Sequence, residues 1–385
     1  MLRWHRNSAL ITTFIIAVAL MILRHRDWLA AHPNTPPMYP RFKVMSSSNE
    51  IRRNTRTIRP EPRVNRTLSI SIVMVIASDS PLEEYAMALN SMECYALIHG
   101  YAFHLVHDTK YPECARHKDL MFRRHCVVAS LLSSSPPSSW TLFLDADVAV
   151  VNPKRLIEDF IDPRFDIAAG SYLIKRSNAS LDFVRRFAEY EWRLPKSFHG
   201  TDNGALHILL LDLIVPTQTR TSRLCRQLWN SSKNYADLFR VQACTRIAFG
   251  DLVEYPSSRL RILPKGTGWM RDAWLIQSQW SEGDDFMLHG IKKQHAVNYP
   301  ASLEEELKRN SNLLRGYGED QSSFIPPLID SLDLVTCKAG TAVWSFDDRI
   351  IIDDETRDAA LRKFGLEVER GKFKSIGSIA EILAN

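Results

Sequence analysis

The segment from Ser69 to Asp147 alternates between strand-like and helix-like patterns, and this alternation constrains the fold more than any other feature of the chain. Between apolar runs, residues 82–99 and 118–132 carry apolar side chains at helical spacing. Alternating strands and helices predict an α/β fold with a mainly parallel central sheet flanked by helices. The runs predicted as strands are Ser69–Ala77, Tyr101–Val106 and Trp140–Leu144.

Two aspartates, Asp145 and Asp147, follow the third predicted strand directly. In sheets of this kind, ligands bind at the C-terminal ends of parallel strands. Strand geometry would turn both carboxylates to the same side, where they repel each other unless a cation lies between them. Because Mg²⁺ and Mn²⁺ prefer carboxylate and phosphate oxygens, the pair predicts a divalent metal site. The alternative is a pair of acids that only serve a turn at the strand end.

Residues 8–23 read SALITTFIIAVALMIL and carry no charge, whereas arginines lie on both sides of the run. A spanning helix needs about 17–25 apolar residues, so we extend the predicted span to residues 8–26. A cleaved signal peptide is the alternative, but Arg24 and Arg26 occupy the position of its cleavage region. Since almost the whole chain follows this run, we expect a single-pass type II protein of the Golgi or ER membrane. Residues 1–7 would form its cytoplasmic tail.

Residues 27–67 are rich in proline, serine and arginine and show neither helical nor strand periodicity, so they are predicted to form a stem. Residues 24–67 hold ten Lys or Arg against three acids, so the chain after residue 67 is slightly acidic although the whole carries +5. A nucleic-acid reader normally carries its basic excess on the folded module, which argues against such a partner. We predict a folded body over residues 68–325 and a C-terminal extension over residues 326–385.

Six cysteines all follow the predicted anchor, and an even count in an oxidising compartment permits three disulfides in any of fifteen connectivities. The sequential neighbours Cys114–Cys126 and Cys225–Cys244 are the expected pairs. N-glycosylation sequons begin at Asn65, Asn178 and Asn230 and agree with a luminal body.

The segment LFLDADVAVVNP (residues 142–153) resembles the metal-binding segment of GT-A fold glycosyltransferases. Among these enzymes it is similar above all to the retaining family of yeast α-1,2-galactosyltransferases and plant xyloglucan xylosyltransferases. A nematode-expanded family of uncharacterised type II membrane proteins is closer still, through the blocks MFRRHC, GSYL, FHGTDNGA, KGTGW and FMLHG. The resemblance, from Ser69 to beyond Gly290, implies a GT-A (nucleotide-diphospho-sugar transferase) fold. It also implies a retaining, metal-dependent transfer of a hexose or pentose from a nucleotide sugar, a UDP-sugar by expectation, to a glycan or glycoprotein.

The same resemblance implies a ligand set for Mn²⁺ or Mg²⁺. Asp145 and Asp147 match the first two metal ligands, and His289 matches the later histidine that completes the site. Lys292 or Lys293 corresponds to a lysine that holds the diphosphate. The segment reads H-G-I-K-K where the family has H-x-x-G-x-K. The sequence therefore does not decide which of the two lysines would hold the diphosphate.

Two further pairs of residues are candidates for donor contacts. Asp202 and Asn203 align with the family's Asp-Gln pair near the sugar and are the predicted catalytic residues. The alternative role for Asp202 is to cap a helix that we expect to begin near Ala205. Ala77, at the end of the first strand, and Arg123, on the second helix, are expected to contact the nucleotide, although Arg123 and its neighbour Arg124 would equally suit ion pairs or a solvated face.

Several other residues have plainer interpretations. The tryptophans Trp269 and Trp274 favour packing over sugar stacking, and His207 favours a core position. The pairs Asp284-Asp285 and Asp347-Asp348 are expected to be loop acids.

Two other classes of protein compete with a transferase. A non-catalytic relative that only binds sugar nucleotides would have the same topology. The run FLDADVAVV also fits the first motif of haloacid-dehalogenase phosphatases, with Asp284-Asp285 as a later acidic pair. That fold normally opens with this strand, whereas here a strand–helix–strand–helix unit precedes it.

Overall fold

All five elements predicted between Ser69 and Leu144 are present in the computed structural model. The predicted strand Trp140–Leu144 has the observed bounds, and the other strand and helix ends agree within a few residues. The residues that the structure describes are 55–62, 68–134, 138–169, 171–250, 252–264, 266–276, 278–292, 327–328 and 331–384.

The secondary structure of the described residues is mixed. The strands are β1 Thr55–Ile58, β2 Ile70–Ile76, β3 Ala102–His107, β4 Trp140–Leu144, β5 Val148–Val150, β6 Ile167–Ala169, β7 Leu173–Lys175, β8 Glu254–Tyr255, β9 Leu260–Ile262, β10 Met270–Asp272, β11 Trp280–Ser281, β12 Met287–His289, β13 Trp344–Asp347 and β14 Ile351–Ile352. The α-helices are α1 Ala86–His99, α2 Leu120–Ser134, α3 Asn178–Glu189, α4 Thr201–Ile214, α5 Arg220–Ser231, α6 Tyr235–Phe249, α7 Leu334–Lys338 and α8 Asp354–Ala384. Short 3₁₀ helices lie at Leu82–Tyr85, Pro112–Arg116, Ile157–Phe160, Tyr190–Arg193, Pro256–Ser258, Ala273–Ile276 and Asp348–Ile350.

The central sheet has the strand order β3-β2-β4-β7-β6-β9-β8. Strand β2 pairs in parallel with both β3 and β4, as predicted. Strand β7 runs antiparallel to both β4 and β6, so β6 again has the direction of β4 and pairs in parallel with β9. The prediction of a mainly parallel sheet therefore holds for five of the seven strands of this sheet, and β7 and β8 depart from it. Only three residues separate β6 from β7, too few for the crossover that a parallel connection needs. The sheet is therefore mixed, with parallel pairs at β3-β2-β4 and at β6-β9.

The strands β2 and β4 are buried on both faces, which explains their unbroken apolar sequences. Side chains such as Ile72 and Leu144 face one hydrophobic cluster, which includes α1. Their neighbours Val73 and Phe143 face a second cluster, built with α2, α3 and α4. The sheet thus lies between two hydrophobic layers.

A second, three-stranded sheet has the order β10-β12-β5. Strand β12 is parallel to β10 and antiparallel to β5, which begins directly after Asp147. The register pairs Asp272 with His289, and His289 with Val148. This small sheet therefore brings residues near position 290 beside the end of β4.

Parts of the predicted stem and C-terminal extension pack into the body. Strand β1, within the predicted stem, pairs antiparallel with β13, and Ile58 is buried. Trp344 and Phe346 on β13 are fully buried in the cluster that contains α1. The structure thus extends the folded body beyond both predicted boundaries.

Three disulfides join all six cysteines. The predicted pairs Cys114–Cys126 and Cys225–Cys244 are confirmed. The third bridge, Cys94–Cys337, ties α1 to α7 across 243 residues of chain.

Two of the three sequon asparagines, Asn178 and Asn230, are exposed to solvent. Asn65, Lys293 and the predicted anchor at residues 8–26 lie outside the described residues. Within the ranges given above, every helix is too short or too polar to cross a lipid bilayer.

Candidate metal centre

The aspartate pair lies where the parallel strands of the central sheet end. Asp145 follows β4, and the backbone N–H of Val148 closes a turn by donating to the Asp145 carbonyl over 3.2 Å. Strands β2 and β3 end at the same edge of the sheet, because they run parallel to β4. The site is therefore built at the edge where α/β sheets bind ligands.

Three side chains converge there. The His289 Nε2 lies 3.5 Å from the Asp145 Oδ2 and 3.3 Å from the Asp147 Oδ1. One ligand atom from each side chain falls within 4.8 Å of the others. An octahedral ion with ligands at about 2.1 Å separates adjacent donors by about 3.0 Å, so the donor set fits Mg²⁺ or Mn²⁺ after a small contraction. The sequence predicted these three residues together, and the structure brings them together.

The protonation states of these groups follow from their mutual contacts. Burial alone would raise the pKa of Asp145, but the charges of Arg124 and His289 outweigh burial and hold this pKa well below its usual range. Burial would also raise the pKa of Asp147, but the hydrogen bond with His289 outweighs burial, so this pKa is lowered. Burial would lower the pKa of His289, yet three surrounding carboxylates raise it well above 6.5. Both aspartates are therefore ionised and available as ligands.

The third carboxylate beside His289 belongs to Asp272, which sequence reasoning missed. Its Oδ1 lies 2.7 Å from the His289 Nδ1, on the opposite side of the ring from Asp145 and Asp147. The local sequence WMRDAW contains no metal-ligand spacing that would single out this residue. Only the pairing of β10 with β12 reveals the contact.

Lys292 lies close to the aspartate pair, and the backbone holds it there. Its Nζ is 3.4 Å from the Asp147 Oδ2. The N–H groups of Gly290 and Ile291 both donate to the Asp147 carbonyl, over 3.1 and 2.9 Å. The ammonium group of Lys292 is thereby held beside the predicted metal ligands.

Arg124 connects the aspartate pair to Asp202. Its Nη1 donates to the Asp145 Oδ1 over 2.5 Å, and its Nη2 donates to the Asp202 Oδ2 over 2.9 Å. The His125 Nε2 lies 3.6 Å from the same Asp202 oxygen. Burial would raise the pKa of Asp202, but His125 and Arg124 lower it on balance. Of the two interpretations open for Arg124, the structure therefore shows an ion pair.

The helix that carries Asp202 begins earlier than predicted. Helix α4 starts at Thr201 rather than near Ala205, because Gly200 takes a left-handed conformation with φ of 65°. Gly204 lies inside the first turn, where a Cβ would come within 1.9 Å of the His199 carbonyl oxygen. The glycines that suggested a loop instead permit close packing at a helix start.

This geometry excludes the capping role considered for Asp202. The N-cap of α4 is Gly200, and Asp202 is the second helical residue, with its carboxylate turned to Arg124 and to the Thr201 hydroxyl. Thr201 itself has a φ of 50°, which is strained for a residue with a branched side chain. Asn203, the other predicted catalytic residue, is exposed to solvent.

Arg123 is held close to the turn that follows Ala77. The Arg123 Nη1 donates to the Asp108 Oδ2 over 2.6 Å, and the Asp108 Oδ1 accepts the Ser78 N–H over 2.9 Å. Arg123 therefore fixes the turn directly after Ala77. Its guanidinium is engaged in this ion pair, and the predicted nucleotide contact of Arg123 and Ala77 stays a prediction.

The remaining candidates largely have the plainer roles. Trp269 is buried in the core, and Trp274 packs against Phe364. His207 lies within α4, and burial lowers its pKa to about 4. Two of the predicted loop acids are buried instead: Asp285 lies against Arg271, and Asp347 ends strand β13 and pairs with Arg349.

One protein family matches more than half of the chain. The match covers residues 92–305 and is to the family described as "Protein of unknown function, DUF273". The chain belongs to this family. Every candidate metal-site residue and the Arg124–Asp202 pair lie inside the DUF273 segment, whereas Ala77 precedes it.

Other comparisons add little to the DUF273 assignment. No curated protein matches the chain in sequence. One similar solved structure is that of a glycosyltransferase involved in the glycosylation of the major capsid of PBCV-1. It is 21% identical, the match covers 36% of this chain and 75% of that chain, and the TM-score is 0.29. A likeness this weak does not define a shared fold, so the chemistry of the site has to be argued from its own side chains.

Proposed function

We propose that this protein is a metal-dependent glycosyltransferase. It would transfer a hexose or pentose from a nucleotide-diphosphate sugar, with a UDP-sugar as the expected donor, to a glycan or glycoprotein acceptor. The observation that carries the proposal is the convergence of Asp145, Asp147 and His289, with the Lys292 Nζ 3.4 Å from Asp147. A divalent-ion donor set beside a fixed lysine suits the charge of a diphosphate.

Each group would have a separate task. Mn²⁺ or Mg²⁺, when bound, supplies charge stabilisation for a departing nucleoside diphosphate. Asp145, Asp147 and His289 would hold the ion, and Lys292 would bind a diphosphate oxygen. The first turn of α4, with Asp202 and Asn203, would orient the donor sugar and the acceptor hydroxyl. Arg124 spans the distance between the two parts, because it bonds one carboxylate of each.

Retention of configuration is proposed to follow same-face attack rather than a covalent intermediate on Asp202. One Asp202 oxygen accepts from Arg124, and the other accepts from the Thr201 hydroxyl over 3.2 Å. A carboxylate whose charge is stabilised in this way, with a lowered pKa, is a weak nucleophile. Asp202 is better suited to holding Arg124 and the sugar in place.

We place the enzyme in the Golgi or ER membrane as a single-pass type II protein with a luminal body. The three disulfides support this location, because such bridges persist in oxidising compartments. The slightly acidic body argues against a nucleic-acid partner.

The proposal is tested by incubating purified protein with a panel of UDP- and GDP-sugars and Mn²⁺ while the release of free nucleotide is followed. Asp145→Asn and Asp147→Asn should each abolish Mn²⁺-dependent release, since each removes a ligand charge. Asp284→Asn, an exposed acid on a nearby loop, is the matched control and should leave release unchanged. Equal release by the wild type and both site variants would refute the proposal.

A non-catalytic sugar-nucleotide binder is the second candidate, favoured by the full engagement of both Asp202 oxygens. The two candidates are separated by Asp202→Asn. In a transferase this variant should lower turnover by roughly 10²-fold with nucleotide affinity near wild type. A wild-type protein that binds Mn²⁺ and a UDP-sugar but releases no nucleotide would be the binder. The phosphatase alternative is disfavoured, because Asp285 is 3% exposed and bound to Arg271 instead of facing Asp145.

A further inference from the structure

We propose that Asp272 is a positioning residue that holds the His289 imidazole with its Nε2 turned toward Asp145 and Asp147. The inference rests on the proposed function only in requiring that this site binds a divalent metal. It assigns a role to a residue that no motif in the sequence singled out.

The geometry of the imidazole carries the inference. The His289 Nδ1 is 2.7 Å from the Asp272 Oδ1, whereas the Nε2 on the far side of the ring is 3.3 Å from Asp147. A neutral imidazole has one N–H and one lone pair. On metal binding, the Nε2 of His289 would lose its proton. With the Nδ1–H still donated to Asp272, the lone pair is then on Nε2, the nitrogen that faces Asp145 and Asp147. Partners of this kind fix both the tautomer and the orientation of metal-binding histidines.

The strand that carries Asp272 is itself held firmly. Its neighbour Arg271 points to the opposite face of β10, where its Nε and Nη2 bond the two Asp285 oxygens over 2.7 and 3.0 Å. Both side chains of that pair are almost fully buried. Asp272 is also register-paired with His289 in the parallel β10–β12 ladder. The carboxylate is therefore part of a rigid support and does not simply follow the imidazole.

A second carboxylate–histidine pair shows why the far side of the ring matters. The His117 Nδ1 lies 2.7 Å from the Glu191 Oε2, the same separation as in the Asp272 pair. The His117 ring stacks on Trp192, and Glu191 also accepts the N–H groups of Lys118 and Asp119. That pair organises a loop, whereas the Asp272 pair directs the second ring nitrogen of His289 at Asp145 and Asp147.

The inference is tested by Mn²⁺ titration calorimetry on the metal-stripped full chain in detergent, together with thermal unfolding in EDTA. Asp272→Ala should weaken Mn²⁺ binding by about 10- to 100-fold, the loss typical for such partners. Asp272→Asn should recover most of the affinity, because its amide oxygen still accepts the Nδ1–H. Glu191→Gln, the matched control, should change thermal stability without changing Mn²⁺ affinity.

The possible outcomes separate the positioning role from the proposed function. Wild-type affinity for Mn²⁺ in Asp272→Ala would overturn the role of Asp272 and leave the metal site standing. Equal losses in the Ala and Asn variants would also overturn it, since orientation would then not be the cause. A wild-type chain that binds no Mn²⁺ would overturn both the metal site and the positioning role.

Discussion

Replacing Arg124 by methionine should destabilise the protein by an amount that depends on pH. Arg124 is buried and bonds Asp145 and Asp202. Its removal takes away the arginine that both carboxylates share and leaves Asp145 with His289 and Asp202 with His125. Breaking a buried ion pair costs about 3–5 kcal/mol. The Asp145 side chain is still 31% exposed and can regain water, so we expect the lower end, about 3 kcal/mol at pH 7. Methionine retains the packing volume over Phe143.

The pH dependence follows from Asp202. Its pKa in the folded protein is lowered, so its ionisation stabilises the wild type above the unfolded pKa of about 3.9, and this contribution is lost as pH falls through the folded value. Without Arg124, burial and the Asp145 charge raise the pKa of Asp202 relative to the wild type, and the His125 contact is left to lower it. Ionised Asp202 is then less well stabilised in the variant than in the wild type at pH 7, and the difference shrinks as the pH falls and the carboxylate takes up a proton.

Thermal and urea unfolding in EDTA at pH 7 and pH 5 measure both effects. At about 2–4 °C per kcal/mol, the Tm of Arg124→Met should fall by about 6–12 °C at pH 7 and by less at pH 5. Arg164→Met removes an exposed ion pair with Asp162 and should change little at either pH. A loss of the same size at both pH values would refute the reasoning, because it would point to packing and not to charge.

Two further predictions concern stability. Gly204→Ala should lower the free energy of urea unfolding by about 3 kcal/mol or more, because the added Cβ would collide with backbone. Gly365→Ala, on α8 with open space around it, should raise this free energy by up to about 1 kcal/mol. Equal effects of the two substitutions would be inconsistent with the described packing. Removing the Cys94–Cys337 bridge should lower the free energy of unfolding by about 2.7 kcal/mol more than removing the Cys114–Cys126 bridge. The reason is that the entropy cost of loop closure grows with the separation along the chain, which is 243 residues for the first bridge and 12 for the second. Urea unfolding of the two double serine variants should rank them in that order.

The parts of the fold that the sequence predicted are those in which a local pattern determines the outcome. Strands β2 and β4 are buried on both faces, so their apolar runs needed no knowledge of their neighbours. The Asp145–Asp147 pair was placed correctly because it follows such a strand immediately. The two confirmed disulfides, Cys114–Cys126 and Cys225–Cys244, likewise join nearby positions.

The parts that the sequence did not predict depend on partners distant along the chain. Asp272 acquires its contact only through the β10–β12 register, and β1 acquires its strand character from pairing with β13. The start of α4 was misplaced because glycine has two opposite uses. Glycine suits a loop, and it also suits a helix turn that packs closely against other backbone. Gly204 shows the second use, because it lies against the His199 carbonyl.

The bridge between α1 and α7 has a consequence for how the chain matures. During synthesis at about 5–20 residues per second, Cys337 emerges roughly 10–50 seconds after Cys94, a gap of 243 residues. Cys114 and Cys126 emerge within that interval, and both are nearer to Cys94 along the chain than its final partner Cys337 is. The thiol of Cys94 must therefore either wait in reduced form or exchange out of a wrong bond. Oxidative folding of this protein should accordingly slow when thiol–disulfide exchange is limiting.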